Sequence, residues 1–109
     1  GIGHAVLLRA VEPMAGIELM KRNRKRPKQE NHTRLLCSGP ARLCRALGIG
    51  RRENGTDLCG DRIWIARDMR STRSQKISRS TRVGISDGKH HKWRYFLKNS
   101  PYISPGRPV

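Results

Sequence analysis

Between Leu35 and Ile49 the chain reads Leu-Leu-Cys-Ser-Gly-Pro-Ala-Arg-Leu-Cys-Arg-Ala-Leu-Gly-Ile, the signals of a loop entering a short helix. Ser38 can cap the start, because its hydroxyl can accept from an orphan backbone N–H of the first turn. Pro40 suits that turn, where its missing N–H costs nothing. Gly48 suits the exit, since it enters a left-handed conformation without a side-chain clash. At about 100° per residue, Leu43, Cys44 and Leu47 fall on one side and Arg42 and Arg45 on the other. One face can therefore pack while the other meets an anion, and the helix N-terminus adds donors and a positive dipole end. The plainer alternative is a surface helix with a solvated basic edge.

Charge narrows the choice of partner. Lys and Arg number 24 against 8 acidic residues, a formal net charge of +16 in 109 residues. Such a surplus favours a polyanion, with nucleic acid the default, and a generic basic protein is the competing reading. The length allows at most one small domain. The three cysteines, Cys37, Cys44 and Cys59, contain no Cys-x-x-Cys spacing, so neither a zinc knuckle nor a redox pair is signalled. Reduced, packed thiols point to a cytosolic or nuclear setting. The longest apolar run is far short of a membrane span.

Residues 5–11 (Ala-Val-Leu-Leu-Arg-Ala-Val) read as a strand, apolar on both faces except at Arg9. An unpaired charge is costly to bury, so Arg9 either sits at a cleft mouth or meets a carboxylate or phosphate. Glu12 and Pro13 end the strand and can begin a helix carrying Met14, Ile17 and Met20 at helical spacing, which Gly16 weakens. Residues 21–28 hold six cations in eight positions, within a basic loop expected over 21–34. Asn54-Gly55 signals a turn. Residues 62–66 (Arg-Ile-Trp-Ile-Ala) alternate like a strand. Residues 80–86 read as another, with Gly84 marking a bulge or a close approach to the backbone. Asp87-Gly88 is a hairpin signal. His90 and His91 are adjacent loop histidines without a third ligand, so no metal is expected. Residues 93–97 concentrate the aromatic side chains, and 105–109 read as a flexible tail.

The eight carboxylates sit in no recognisable catalytic motif, and no Ser–His–Asp order, Walker loop or zinc spacing is present. Taken alone, these residues describe an anion-binding surface without a catalytic centre.

A family resemblance adds to this. Leu36-Cys37-Ser38-Gly39-Pro40, Arg42-Leu43-Cys44 and Ala46-Leu47-Gly48-Ile49 resemble the signature of the alkyladenine (3-methyladenine) DNA glycosylases. Leu7-Leu8-Arg9-Ala10-Val11-Glu12-Pro13, with Gly16 and Met20, resembles that family's preceding segment. Asp57-Leu58, Trp64, Arg82-Val83-Gly84-Ile85, Trp93-Arg94-Tyr95-Phe96 and Ser100-Pro101-Tyr102-Ile103-Ser104 follow in the family's order. The resemblance covers nearly the whole chain. It implies an α+β fold, a mixed and mainly antiparallel sheet with short helices. It also implies base excision repair, in which a damaged purine is flipped from the duplex and its N-glycosidic bond hydrolysed by an activated water. Substrates implied are 3-methyladenine, 7-methylguanine, hypoxanthine and ethenoadenine, in double-stranded DNA, with no metal or organic cofactor.

By the same resemblance, Arg9 and the Val83 carbonyl hold the nucleophilic water. Ala5 and Leu7 line the base pocket, and the Gly84 N–H meets a phosphate. Arg24, Lys25, Arg42 and Arg51 fall at positions contacting the DNA backbone, contacts that position an enzyme without reading sequence. Two departures stand out. The family's catalytic glutamate, pocket aromatics and histidine, and intercalating tyrosine precede the segment resembling Gly1. Lys92 stands where proline is common before Trp93. The chain thus reads as the C-terminal part of a single glycosylase domain, a truncated product or one piece of a split gene. It is expected to bind DNA weakly, to fold poorly and to lack activity on its own, with no protein partner unless a separate N-terminal half exists. Its place would be the cytoplasm or nucleoid of a prokaryote or a eukaryotic nucleus, not outside the cell. The alternative is a non-catalytic basic nucleic-acid-binding module.

Overall fold

The computed structural model of the chain describes residues 3–25, 33–67, 76–84, 87 and 90–104. The expected tail at 105–109, Ile85 and Ser86 of the expected strand over 80–86, and Gly88 of the expected hairpin turn lie outside these residues. Three short helices come first: α1 (Ile17–Arg24), α2 (Thr33–Leu36) and α3 (Pro40–Leu47), followed by a 3-10 turn at Arg51–Glu53. Two strands, β1 (Ile77–Ser80) and β2 (Arg94–Leu97), close the order. This is consistent with an incomplete α+β domain.

The helices hold the core. Leu36, Cys37, Leu43 and Ala46 are buried together, with Ile17 and Met20 of α1 packed against them. Asn23 of α1 donates to the Ala46 carbonyl at 2.9 Å, fixing α1 against α3. Arg24 is 5% exposed. One of its terminal nitrogens donates to the Leu35 and Leu36 carbonyls at 2.8 and 2.9 Å, and so satisfies acceptors that the end of α2 leaves without helical partners. Burial pushes the Cys37 thiol up from its ordinary value, an effect that the nearby Arg24 charge partly offsets.

The ends of α3 follow the sequence signals, with one change. Pro40 occupies the first turn and Gly48 the left-handed exit at φ 68°. The Gly48 N–H bonds the Arg45 carbonyl at 3.2 Å and the Ile49 N–H bonds the Cys44 carbonyl at 2.8 Å, the paired bonds of a Schellman ending. Ser38 does not cap. The N-cap is Gly39, with no side-chain cap bond, and the Ser38 hydroxyl instead donates to the Leu35 carbonyl at 3.4 Å. The packing side of α3 is Leu43 and Ala46 with Cys44 half-buried, and Leu47 is exposed.

Other expectations are corrected for physical reasons. α1 begins at Ile17, and Gly16 precedes it in the left-handed region at φ 71°, where a side chain would be strained. Gly16 is therefore the helix entry, not a weak point inside it. The basic run is not all loop, because α1 continues through Arg24 and α2 begins at Thr33. Residues 26–32 lie outside the described residues.

The strand expected over 5–11 is a segment outside any named strand, bridged among the described residues from Ala10 to Ser38. A strand exists only through its pairing, and among the described residues no named strand lies alongside it; Val6 is 89% exposed. The strand expected over 62–66 reduces to a bridge between Cys59 and Trp64. The strand expected over 80–86 begins and ends earlier, at Ile77–Ser80, and pairs antiparallel with β2 in the register Ile77–Leu97, Ser78–Phe96, Arg79–Tyr95 and Ser80–Arg94. The Arg79 guanidinium lies 5.0 Å over the Tyr95 ring in that register.

Glu53 ties the segment after α3. Its carboxylate accepts from the Gly50 N–H at 2.7 Å and from Arg52 and Arg62 at 2.9 and 3.2 Å. The Gly50 bond, aided by the two arginines, holds its pKa below the usual glutamate value. A lowered carboxylate pKa contributes stability above the unfolded-state value, and that contribution is lost as pH falls through the folded value. The urea midpoint should therefore drop between about pH 5 and pH 3. In Glu53→Gln the midpoint should start lower near neutrality and fall less over the same window.

Candidate active site

Residues 3–12, 82–83, 93–97, 100 and 102–104 line an open cleft of about 1020 Å³. Its first wall is the segment at 3–12, its second the aromatic strand β2 and the turn after it. Ala5, Leu7, Arg9 and Val83 all line this cleft, so the structure brings together the four residues that the sequence assigned to the base and water. Gly84 adjoins it at φ 71°, and among the described residues beyond its chain neighbours nothing lies within 4 Å of where a Cβ would stand.

Arg9 is half-buried and its Nε donates to the Ser104 hydroxyl at 3.3 Å. Ser104 in turn accepts at its carbonyl from Arg94 at 2.8 Å. Arg94 lies on β2, 5.0 Å over the Phe96 ring, and is 9% exposed. Burial, with the neighbouring Arg9 charge adding to it, pulls the Arg94 pKa below its ordinary value. Neither guanidinium meets a carboxylate among the described residues. A guanidinium keeps its proton across the physiological range, so this side of the cleft carries two positive charges.

The sequence reading missed Arg94 and Ser104. A cation inside an apolar run, the signal at Arg9, also marks Arg94 between Trp93 and Tyr95. Ser104 carries no such signal, because its partners are remote in sequence.

The other assigned cations lie on the helical part. Arg24 is turned inward onto α2. Lys25 ends α1 in the left-handed conformation at φ 47° and is exposed. Arg42 donates to the Ser38 hydroxyl at 3.0 Å, one turn back across the entry to α3. Arg51 is exposed in the 3-10 turn. Thus Ser38 serves the family-like loop by steadying Arg42 rather than by capping. His91 stacks on Trp93 at 4.1 Å, so it is not a freely solvated loop residue. No three His, Cys, Asp or Glu side chains gather as a metal site among the described residues.

Residues 1–101 match the family described as Methylpurine-DNA glycosylase (MPG). The chain belongs to that family. As a methylpurine-DNA glycosylase family member it is 43% identical over 108 residues to a Chlorobium luteolum protein, covering 99% of this chain and 53% of that protein. A Desulfitobacterium hafniense protein is 42% identical over 111 residues, covering 95% and 54%. One from Mesorhizobium japonicum is 40% identical over 110 residues, covering 100% and 50%. All three carry the name "Putative 3-methyladenine DNA glycosylase". The chain spans about half the length of these relatives. Among the described residues no helix is long and apolar enough to cross a membrane.

Proposed function

We propose that this chain supplies one side of a DNA-repair glycosylase site that hydrolyses the N-glycosidic bond of a flipped alkylated or deaminated purine, of the 3-methyladenine and hypoxanthine type. The observation that carries the reading is the convergence of Arg9, Ala5, Leu7 and Val83 on one open cleft in a chain of this family. Flipping is required because the reacting bond is shielded in the stack, and a damaged base costs less to extrude. Arg9 and the Val83 carbonyl orient the water: the guanidinium donates to its oxygen and the carbonyl accepts one of its protons. Ala5 and Leu7 form an apolar edge for the base.

The water oxygen bonds to the sugar carbon as the bond to the purine nitrogen breaks, the bonding pair leaves on the purine, and a proton of the water passes to a general base. That base is a glutamate from the part of the domain outside this chain, so the 109 residues alone do not complete the reaction. The chemistry needs no metal or organic cofactor, and no lysine nucleophile. Gly84, Lys25, Arg42 and Arg51 carry the phosphate contacts. Arg24 would have to leave two carbonyls to join them.

The second reading is a plain basic nucleic-acid-binding module, favoured by the net charge of +16. Fluorescence anisotropy on duplexes with and without an abasic-site analogue, at several salt concentrations, separates the two. The glycosylase reading expects tighter binding to the abasic duplex at every salt concentration. Equal affinity for both duplexes, with a steep salt slope, would favour the plain module.

A further inference from the structure

Arg9 projects from a segment with little backbone support: among the described residues it is anchored at the Ala10–Ser38 bridge, through the Val11 N–H bond to the Cys37 carbonyl at 3.3 Å. A free arginine side chain samples many rotamers, and holding one costs entropy. Something other than its own backbone must therefore fix the guanidinium. The contacts supply a short relay. Phe96 and the strand fix Arg94, Arg94 holds the Ser104 carbonyl, and the 5%-exposed Ser104 turns its hydroxyl to Arg9 Nε. A bond at Nε grips the stem of the side chain. Both terminal nitrogens of Arg9 stay uncommitted among the described residues. Arg9 and Arg94 both line the cleft, and their like charges repel, which keeps the Arg9 guanidinium from folding onto Arg94.

We infer that Ser104 and Arg94 are positioning residues for Arg9: Ser104 by gripping Nε, Arg94 by fixing Ser104 and repelling the Arg9 guanidinium. What Arg9 does there rests on the function proposed above, but the grip itself does not.

The test uses the 109-residue chain labelled with 15N, read alone and with the unlabelled, unmatched half of the Chlorobium luteolum relative. The Arg9 Nε–H signal is assigned by its loss in Arg9→Lys, and its order is read from the heteronuclear Overhauser effect. In the wild type that value should approach the backbone's. In Ser104→Ala it should fall to that of exposed Arg45, and in Ser104→Thr, which keeps the hydroxyl, it should recover. In the two-part assembly, single-turnover release of hypoxanthine should fall about 10- to 100-fold in Ser104→Ala at unchanged DNA affinity, and return in Ser104→Thr. An Arg9 signal as mobile as Arg45 in the wild type, one unmoved by Ser104→Ala, or one not rescued by Ser104→Thr would overturn the inference. The expected Arg9 signals without base release by the wild-type assembly would sink the proposed function and leave the grip standing.

Discussion

Truncating Leu43 to alanine should leave the chain largely unfolded at 25 °C. The described core is small: Leu36, Cys37, Leu43 and Ala46 are its buried apolar side chains, with Ile17 and Met20 at the edge. Leu43 is the member that α3 contributes at full side-chain size. A buried leucine-to-alanine change costs about 2–5 kcal/mol, the lost transfer energy plus the cavity left behind. Small domains have about 5–15 kcal/mol in total, and a chain with so few buried residues, expected to fold poorly on its own, falls below that range, so a loss of this size exceeds what it has. Far-UV circular dichroism across a urea series reads the result through the helical signal of α1 and α3. The wild type should show a transition, and Leu43→Ala should begin with most of that signal gone. Val6→Ser is the contrast, because Val6 is 89% exposed and changes there cost less than about 0.5 kcal/mol. A Leu43→Ala midpoint within error of the wild type would show that this cluster does not hold the helices together.

Local backbone chemistry made α3 legible in advance. Pro40 at the first turn and Gly48 at the exit act through their own torsions and need no distant partner, and the Asn54-Gly55 turn is readable in the same way. The strands were less legible because pairing is a property of two segments. Residues 5–11 have the pattern of a buried strand, yet that pattern states only what the segment could cover. Among the described residues little covers it.

Arg24 escaped for a related reason. Six cations in eight positions predict a solvated block, but a single arginine at the end of α1 finds the free carbonyls of α2, a contact invisible without the placement of α1 beside α2. The cleft residues were legible through resemblance and through Arg9, whose charge interrupts an apolar run. Arg94 offered the same clue and was passed over. Ser104 was not readable, since its value lies in touching two arginines from opposite walls.

The largest functional effect expected is dependence on the part of the domain outside this chain. On the proposed function Arg9 and the Val83 carbonyl orient a water, and Glu12, the carboxylate on the lining of the described cleft, makes no ion pair or hydrogen bond with Arg9 that would place it to take the water's proton. Without a positioned base the reaction loses both proton removal and alignment, worth about 10²–10⁴-fold for the former alone. Replacing Arg9 with alanine in the completed assembly should cost about 100-fold or more, because the donor that fixes the water is gone.

The most direct measurement is single-turnover release of hypoxanthine from a labelled duplex, by the 109-residue chain alone and by the chain mixed with the unmatched half of the Chlorobium luteolum relative. The account predicts no release by the chain alone, release by the mixture, and loss of that release in Arg9→Ala. Release by the chain alone, or release by the mixture that survives Arg9→Ala, would contradict it.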